Sequence, residues 1–111
     1  MARNSPGGEF DGQTDAELVR GIARLDPAPF EVLYERHAAA AFALARHMLG
    51  SDARAEDAVQ EAYLNLWRAA SRYERERASV RAWLLGMVRN RSIDALRRLA
   101  VEERRRVGLL N

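Results

Sequence analysis

The sequence predicts an all-α fold, a compact bundle of four helices with the first one short. Three observations carry this. Apolar residues recur at three- and four-residue spacing along most of the chain, and nowhere do they alternate as in a strand. Capping residues precede each apolar run, and Gly or Pro punctuates the gaps between runs. At 111 residues, 48% hydrophobic and 31% charged, the chain has the size and balance of one globular domain.

The elements follow in order. Residues 1–13 are rich in Gly, Ser, Asn and Pro and read as a disordered tail. Gly8-Glu9-Phe10 can be a cloning scar and is set aside. Thr14 and Glu17 form a capping box that opens a helix over roughly 15–25, with Leu18, Ile22 and Leu25 on one face. Asp26-Pro27 supplies an N-cap and a first-turn proline. The second helix then runs to about Leu49, where Gly50 stops it. Its buried stripe is Phe30, Leu33, Tyr34, Ala38, Ala41, Phe42, Ala45 and Leu49. A third helix over about 53–71 turns Val59, Ala62, Tyr63, Leu66 and Ala70 inward. Residues 72–78 have no apolar period and read as a loop. Ser79 caps a fourth helix that reaches about 98, with a possible extension to 106, and has Val80, Leu84, Met87, Val88 and Ala95 as its core face.

Charge is divided along the chain. Residues 1–66 hold 11 acidic side chains and 6 Arg, a balance of −5, whereas residues 67–111 hold 5 acidic and 12 Arg, a balance of +7. Every basic residue is arginine. A basic half attracts a polyanion through counterion release.

The third and fourth helices carry the chemistry. Asp57, Gln60, Glu61, Leu64 and Arg68 fall on one side of the third helix, away from its core stripe. Two carboxylates and an amide one turn apart suit guanidinium groups on a partner helix, although an ordinary solvated face has the same spacing. On the fourth helix Trp83, Gly86, Asn90 and Arg97 share a flank beside the core face, with Arg81, Arg89, Arg91 and Arg98 around it. A ring that stacks on bases, an amide that reads base edges and arginines that meet phosphate form a plausible nucleic-acid surface. A Trp83 that merely plugs the bundle is the competing reading.

Ala55 to Arg98, reading AEDAVQEAYLNLWRAASRYERERASVRAWLLGMVRNRSIDALRR, resembles the second conserved region of bacterial sigma factors of the extracytoplasmic-function type. The resemblance implies that residues 14–106 are a sigma region 2, in which Asp57, Gln60 and Glu61, with Asn65 beside them, bind a coiled coil of the RNA polymerase largest subunit. It implies that WLLGMVRNRSIDALRR holds the non-template strand of the promoter −10 element. The loop Arg72–Ala78 then matches one that receives a flipped base, which costs a few kcal/mol to unstack. Tyr73 either surrounds that base or packs under the loop. DNA contacts are expected from Arg72, Tyr73, Arg81, Trp83, Gly86, Asn90, Arg91, Arg97 and Arg98, with Asn90 setting sequence preference. An anti-sigma factor is the implied regulatory partner. Members of the family continue into a second, helix-turn-helix domain that reads the −35 element. Residues 107–111 are therefore expected to begin a linker, and the chain to be a fragment.

Other classes have less support. No cysteine is present, and His37 and His47 lie about 280° apart on a helix, each expected at the surface, so neither a thiolate site nor a shared histidine site forms. No nucleophile–base pair or phosphate-cradling glycine loop appears, so no enzyme activity, cofactor or metal is expected. No apolar run nears the ~20 residues of a membrane span, and residues 1–10 lack a secretory signal, so a cytoplasmic protein is expected. The alternatives are a helical interaction module whose basic helix binds an acidic partner, without any DNA role, and a membrane-surface helix, which lacks a strong apolar face at its arginine-rich end.

Overall fold

The computed structural model describes Phe10 and residues 12–110. Most of the expected tail lies outside the described residues. Among the described residues, four α-helices follow one another: α1 (Asp15–Ala23), α2 (Pro27–Leu49), α3 (Asp52–Ala69) and α4 (Val80–Leu110), with a 3₁₀ turn at Ala70–Arg72 after α3. The described residues contain no strand.

Each helix starts where a side chain can satisfy its free N–H groups. The Thr14 hydroxyl accepts from the Glu17 N–H at 3.2 Å, and the Glu17 carboxylate accepts from the Thr14 N–H at 2.8 Å. Asp26 accepts from the Ala28 N–H at 3.1 Å ahead of Pro27. Ser51 accepts from the Arg54 N–H at 3.3 Å, and Ser79 from the Ala82 N–H at 3.1 Å. Gly50 ends α2 in the left-handed region at φ 67°, where a Cβ would be strained.

The end of α1 departs from expectation. The helix stops at Ala23, and Leu25 adopts φ 66° with 76% of its surface exposed, so it is not a core residue. The Leu25 N–H donates to the Ile22 carbonyl at 2.8 Å and the Asp26 N–H to the Gly21 carbonyl at 3.3 Å, the paired bonds of a Schellman turn. Closing that turn before Asp26, held extended ahead of Pro27, requires a left-handed residue, and this swings the Leu25 side chain outward.

The core joins all four helices. Leu18, Val19 and Ile22 of α1 meet Val32, Leu33, Ala41 and Ala45 of α2, Ala55, Ala58, Ala62 and Leu66 of α3, and Val80, Leu84 and Val88 of α4. Alanines on α2 and α3 let those backbones approach closely. An aromatic cluster seals one side: the Phe30 ring stands edge-on to Tyr63 at 5.9 Å and to Trp67 at 5.1 Å, and Tyr34 lies 4.4 Å from Tyr63. Trp67 is thus half-buried against α2. Tyr34 is more exposed than its place in the expected stripe implied.

Three further residues differ from expectation. Phe10 packs against the core, and its carbonyl accepts from Arg36 at 3.2 Å, so it belongs to the fold. His37 is buried, not at the surface, because its Nε2 lies 2.8 Å from the Asp15 carboxylate that also pairs with Arg36. Ser92 lies fully buried on the core face of α4, one turn beyond Val88. The fourth helix also outruns its expected end, remaining helical to Leu110 through the residues expected to start a linker. Among the described residues no helix is long and apolar enough to cross a membrane.

Two outcomes follow. A Cβ on Gly21 would lie 2.7 Å from Pro29 Cγ, a ring carbon that cannot rotate away. Gly21→Ala should therefore destabilise the bundle by about 1–3 kcal/mol in urea unfolding, against the usual helix-stabilising effect of alanine. The Glu17 carboxyl is held below its ordinary pKa by the Thr14 N–H and then by the Thr14 hydroxyl. A depressed folded pKa gives stability that is fully present above the unfolded value of about 4.3 and fades as pH falls through the folded value. Glu17→Gln should flatten that part of the stability–pH curve, as followed by thermal melts across the acid range.

Candidate functional site

α3 exposes its polar side between two grooves. Toward α2, Gln60 borders a groove of about 290 Å³ with Tyr34, Ala38, Phe42 and Glu56. Toward α4, Asp57 and Glu61 border a second groove of about 240 Å³ together with Arg54, Arg98 and Glu102. Asp57 and Gln60 are exposed, Glu61 is half-buried, and Leu64 exposes 49% of its surface between them. Helical periodicity explains the arrangement, because the core side of α3 is taken by Ala55, Ala58, Ala62 and Leu66.

Asn65 does not stand with this set. It turns toward α4, where its side-chain oxygen accepts from Arg91 Nη2 at 3.2 Å in a partly buried contact. Arg91 and Asn65 thus tie the acidic helix to the arginine-rich one.

The α4 flank is built on the loop before it. The Tyr73 ring lies 4.9 Å from that of Trp83 at an angle of 39°, and its hydroxyl donates to the Ala78 carbonyl at 2.7 Å. Tyr73 therefore packs under the loop, closing residues 73–78 over the start of α4. Trp83 is half-buried by that stack, while Gly86 and Asn90 one and two turns on are exposed. Nothing lies within 4 Å of a Cβ placed on Gly86, so that surface is open. Arg97 is exposed, with Nη1 3.9 Å from Asp94, and Arg72 is exposed at the end of the 3₁₀ turn.

Of the arginines expected around this ridge, two are engaged elsewhere. Arg91 is held by Asn65, and Arg98 lines the groove with Asp57 and Glu61. Arg81 is exposed on the first turn of α4, and its charge acts on the Tyr63 phenol. Burial raises the Tyr63 pKa above its ordinary value, the nearby Tyr34 adds to this, and Arg81 opposes both. The phenol donates to the Tyr34 carbonyl at 3.1 Å, so it serves as a neutral donor. The described residues hold no group of three or more His, Asp or Glu side chains that could hold a metal ion.

Sequence reasoning missed the Arg91–Asn65 bond and the sharing of one groove by Arg98, Asp57 and Glu61. The antiparallel register of α3 and α4 brings these pairs together, and no local pattern encodes it. The Tyr73–Trp83 stack was nearer to hand, since a lone loop aromatic ten residues before a helix-borne tryptophan invites that pairing.

Fold and faces together define a class: a small helical bundle offering a carboxylate–amide face on one helix and an arginine–aromatic face on the next. The chain belongs to the sigma-70 region 2 family, whose pattern matches residues 33–101. It is similar to the ECF RNA polymerase sigma factor SigK of Mycobacterium ulcerans (strain Agy99), with 35% identity over 80 residues that cover 72% of this chain and 43% of that protein. SigK of Mycobacterium tuberculosis (strain ATCC 25618 / H37Rv) is 34% identical over the same shares. SigK of Mycobacterium sp. (strain KMS) is 31% identical over 72% of this chain and 42% of its own. The chain thus spans less than half the length of these relatives.

The tie between the two helices makes a quantitative expectation. Arg91→Ala and Asn65→Ala should each lower stability by about 1–2 kcal/mol, and the double variant by less than their sum, in a double-mutant cycle read by urea unfolding.

Proposed function

We propose that this chain is the promoter-recognition domain of an extracytoplasmic-function sigma factor. It attaches to core RNA polymerase and holds the opened −10 element, so directing initiation by binding without a covalent step. One observation carries the reading. The carboxylate face of α3 and the Trp83–Gly86–Asn90 ridge of α4 are both solvent-accessible on two helices locked together by a shared core, within the region that matches the family.

The two faces divide the work. Asp57, Gln60 and Glu61 present acceptors that pair with arginines of a coiled coil in the polymerase largest subunit, by charge-assisted, bidentate bonds. The Trp83 ring, braced from behind by Tyr73, offers a stacking surface for an unpaired base. Asn90, about 10 Å further along the helix, presents both a donor and an acceptor to a base edge. Arg97 and Arg72 meet the phosphates that flank these bases. Asn65 and Arg91 serve better as the brace that keeps the faces in register than as direct contacts. An anti-sigma partner that covers these surfaces when initiation is not required completes the reading.

Asn90→Ala should impair open-complex formation on a cognate promoter while polymerase binding persists, measured by permanganate footprinting beside co-purification. Glu61→Arg should abolish co-purification with core polymerase. Unchanged footprints in the first variant together with retained capture in the second would overturn the reading.

A further inference from the structure

The loop that carries Tyr73 is set less by its neighbours in sequence than by the first helix. α1 packs on α2 and also on the 3₁₀ turn Ala70–Arg72, where its contact is more extensive than that of α3, from which the turn emerges. It touches α4 as well. Ala70 is buried in the same core as Leu18, Val19 and Ile22, and so is Val80, the first residue of α4. Both ends of the loop thus enter the core that α1 completes.

That place is not secured by α1 alone. At nine residues it has a length at which an isolated helix is marginal in water. Its seat on α2 rests on its three buried side chains and on one polar junction. There Asp15, in the first turn of α1, uses both carboxylate oxygens: Oδ1 accepts from Arg36 Nη1 at 3.2 Å and Oδ2 from His37 Nε2 at 2.8 Å. Arg36 Nη2 also donates to the Phe10 carbonyl at 3.2 Å, which draws the chain ahead of α1 to the same point. The His37 Nδ1 is buried with no hydrogen-bond partner among the described residues, so Asp15 supplies the polar contact of that ring.

We propose that Asp15 is a positioning residue for the nucleic-acid ridge: through α1 it fixes the 3₁₀ turn, and with it the loop whose Tyr73 backs the Trp83 ring. This role rests on the reading of that ridge given above. The stack is the sensitive element. Tyr73 follows the turn directly, closes the loop through its bond to the Ala78 carbonyl, and meets Trp83 at 4.9 Å, so a displaced turn uncovers the tryptophan. α3 packs mainly on α2 and α4, so Asp57, Gln60 and Glu61 keep their places when the junction is lost.

Tryptophan fluorescence reads the stack with no DNA present. The chain has two tryptophans, and Trp67→Phe leaves Trp83 as the reporter. In that background Asp15→Ala should move the emission to the red and raise its quenching by acrylamide. Asp15→Ala should also bind a single DNA strand of about 12 nucleotides several-fold more weakly in anisotropy at low salt. Capture of core polymerase should stay unchanged. The direction is diagnostic, because removing a carboxylate would by itself favour a polyanion. Ser51→Ala removes the cap at the end of α3 opposite the turn, as a control for lost stability, and should leave Trp83 unmoved. Should Asp15→Ala not fold, Asp15→Asn, which keeps one accepting oxygen, should give the same shifts at smaller size. The role is overturned if Trp83 is indifferent to the Asp15 variants, if Ser51→Ala moves it equally, or if strand binding holds or strengthens. It is also overturned if polymerase capture falls in step with strand binding. A Trp83 response in a chain that, unaltered, binds no strand would remove the ridge reading and keep the junction's hold on the loop. Strand binding that ignores Asp15 removes the positioning role alone.

Discussion

The antiparallel packing of α3 on α4 is the constraint on which everything else rests. Ala55, Ala58, Ala62 and Leu66 on one helix and Val80, Leu84, Val88 and Ser92 on the other occupy the inward side of each helix. Once these are buried, the polar faces have no rotational freedom left. Asp57 and Glu61 must open toward α4, Gln60 toward α2, and Asn90 away from both. Small side chains matter as much as large ones here. Buried alanines set the helices close, so that a single side-chain bond between Asn65 and Arg91 can span the gap.

A second constraint acts at the loop. Residues 73–78 contribute no buried aliphatic side chain, yet they are held by one tyrosine. Tyr73 stacks on Trp83 and donates to the Ala78 carbonyl, converting a charged connection into a cap over the start of α4. The same contact covers one side of Trp83 and leaves the ring partly accessible. A stacking platform works best when its ring is already fixed, because immobilising it costs no further side-chain entropy on binding.

Electrostatics are organised by position more than by amount. The net charge is only +2, but the surplus of arginine lies beyond residue 66 and most of it lies on one helix. Some arginine charge is engaged internally: Arg36 pairs with Asp15, and Arg91 holds Asn65. Arg97 and Arg104 stay at the surface, within about 40° of Asn90 around the helix axis. A protein with a small total charge can therefore present opposite signs on adjacent helices, one suited to arginines of a protein and the other to phosphates.

Much of this was legible from local chemistry. Capping by Thr14–Glu17, Asp26 and Ser79, the stop at Gly50 and the inward stripe of α3 are each decided within a turn or two of the chain. Periodicity alone puts Asp57, Gln60 and Glu61 on one helix face and Trp83, Gly86 and Asn90 on another. Tertiary structure decided what depends on residues distant in sequence: His37 drawn inside by Asp15, and Arg91 bound to Asn65. It also decided that Arg98 shares a groove with Asp57 and Glu61. Helix caps and stripes are short-range and follow from residue type, whereas these pairings depend on how two helices 20 or more residues apart in sequence are set in register, which only burial of their common core determines.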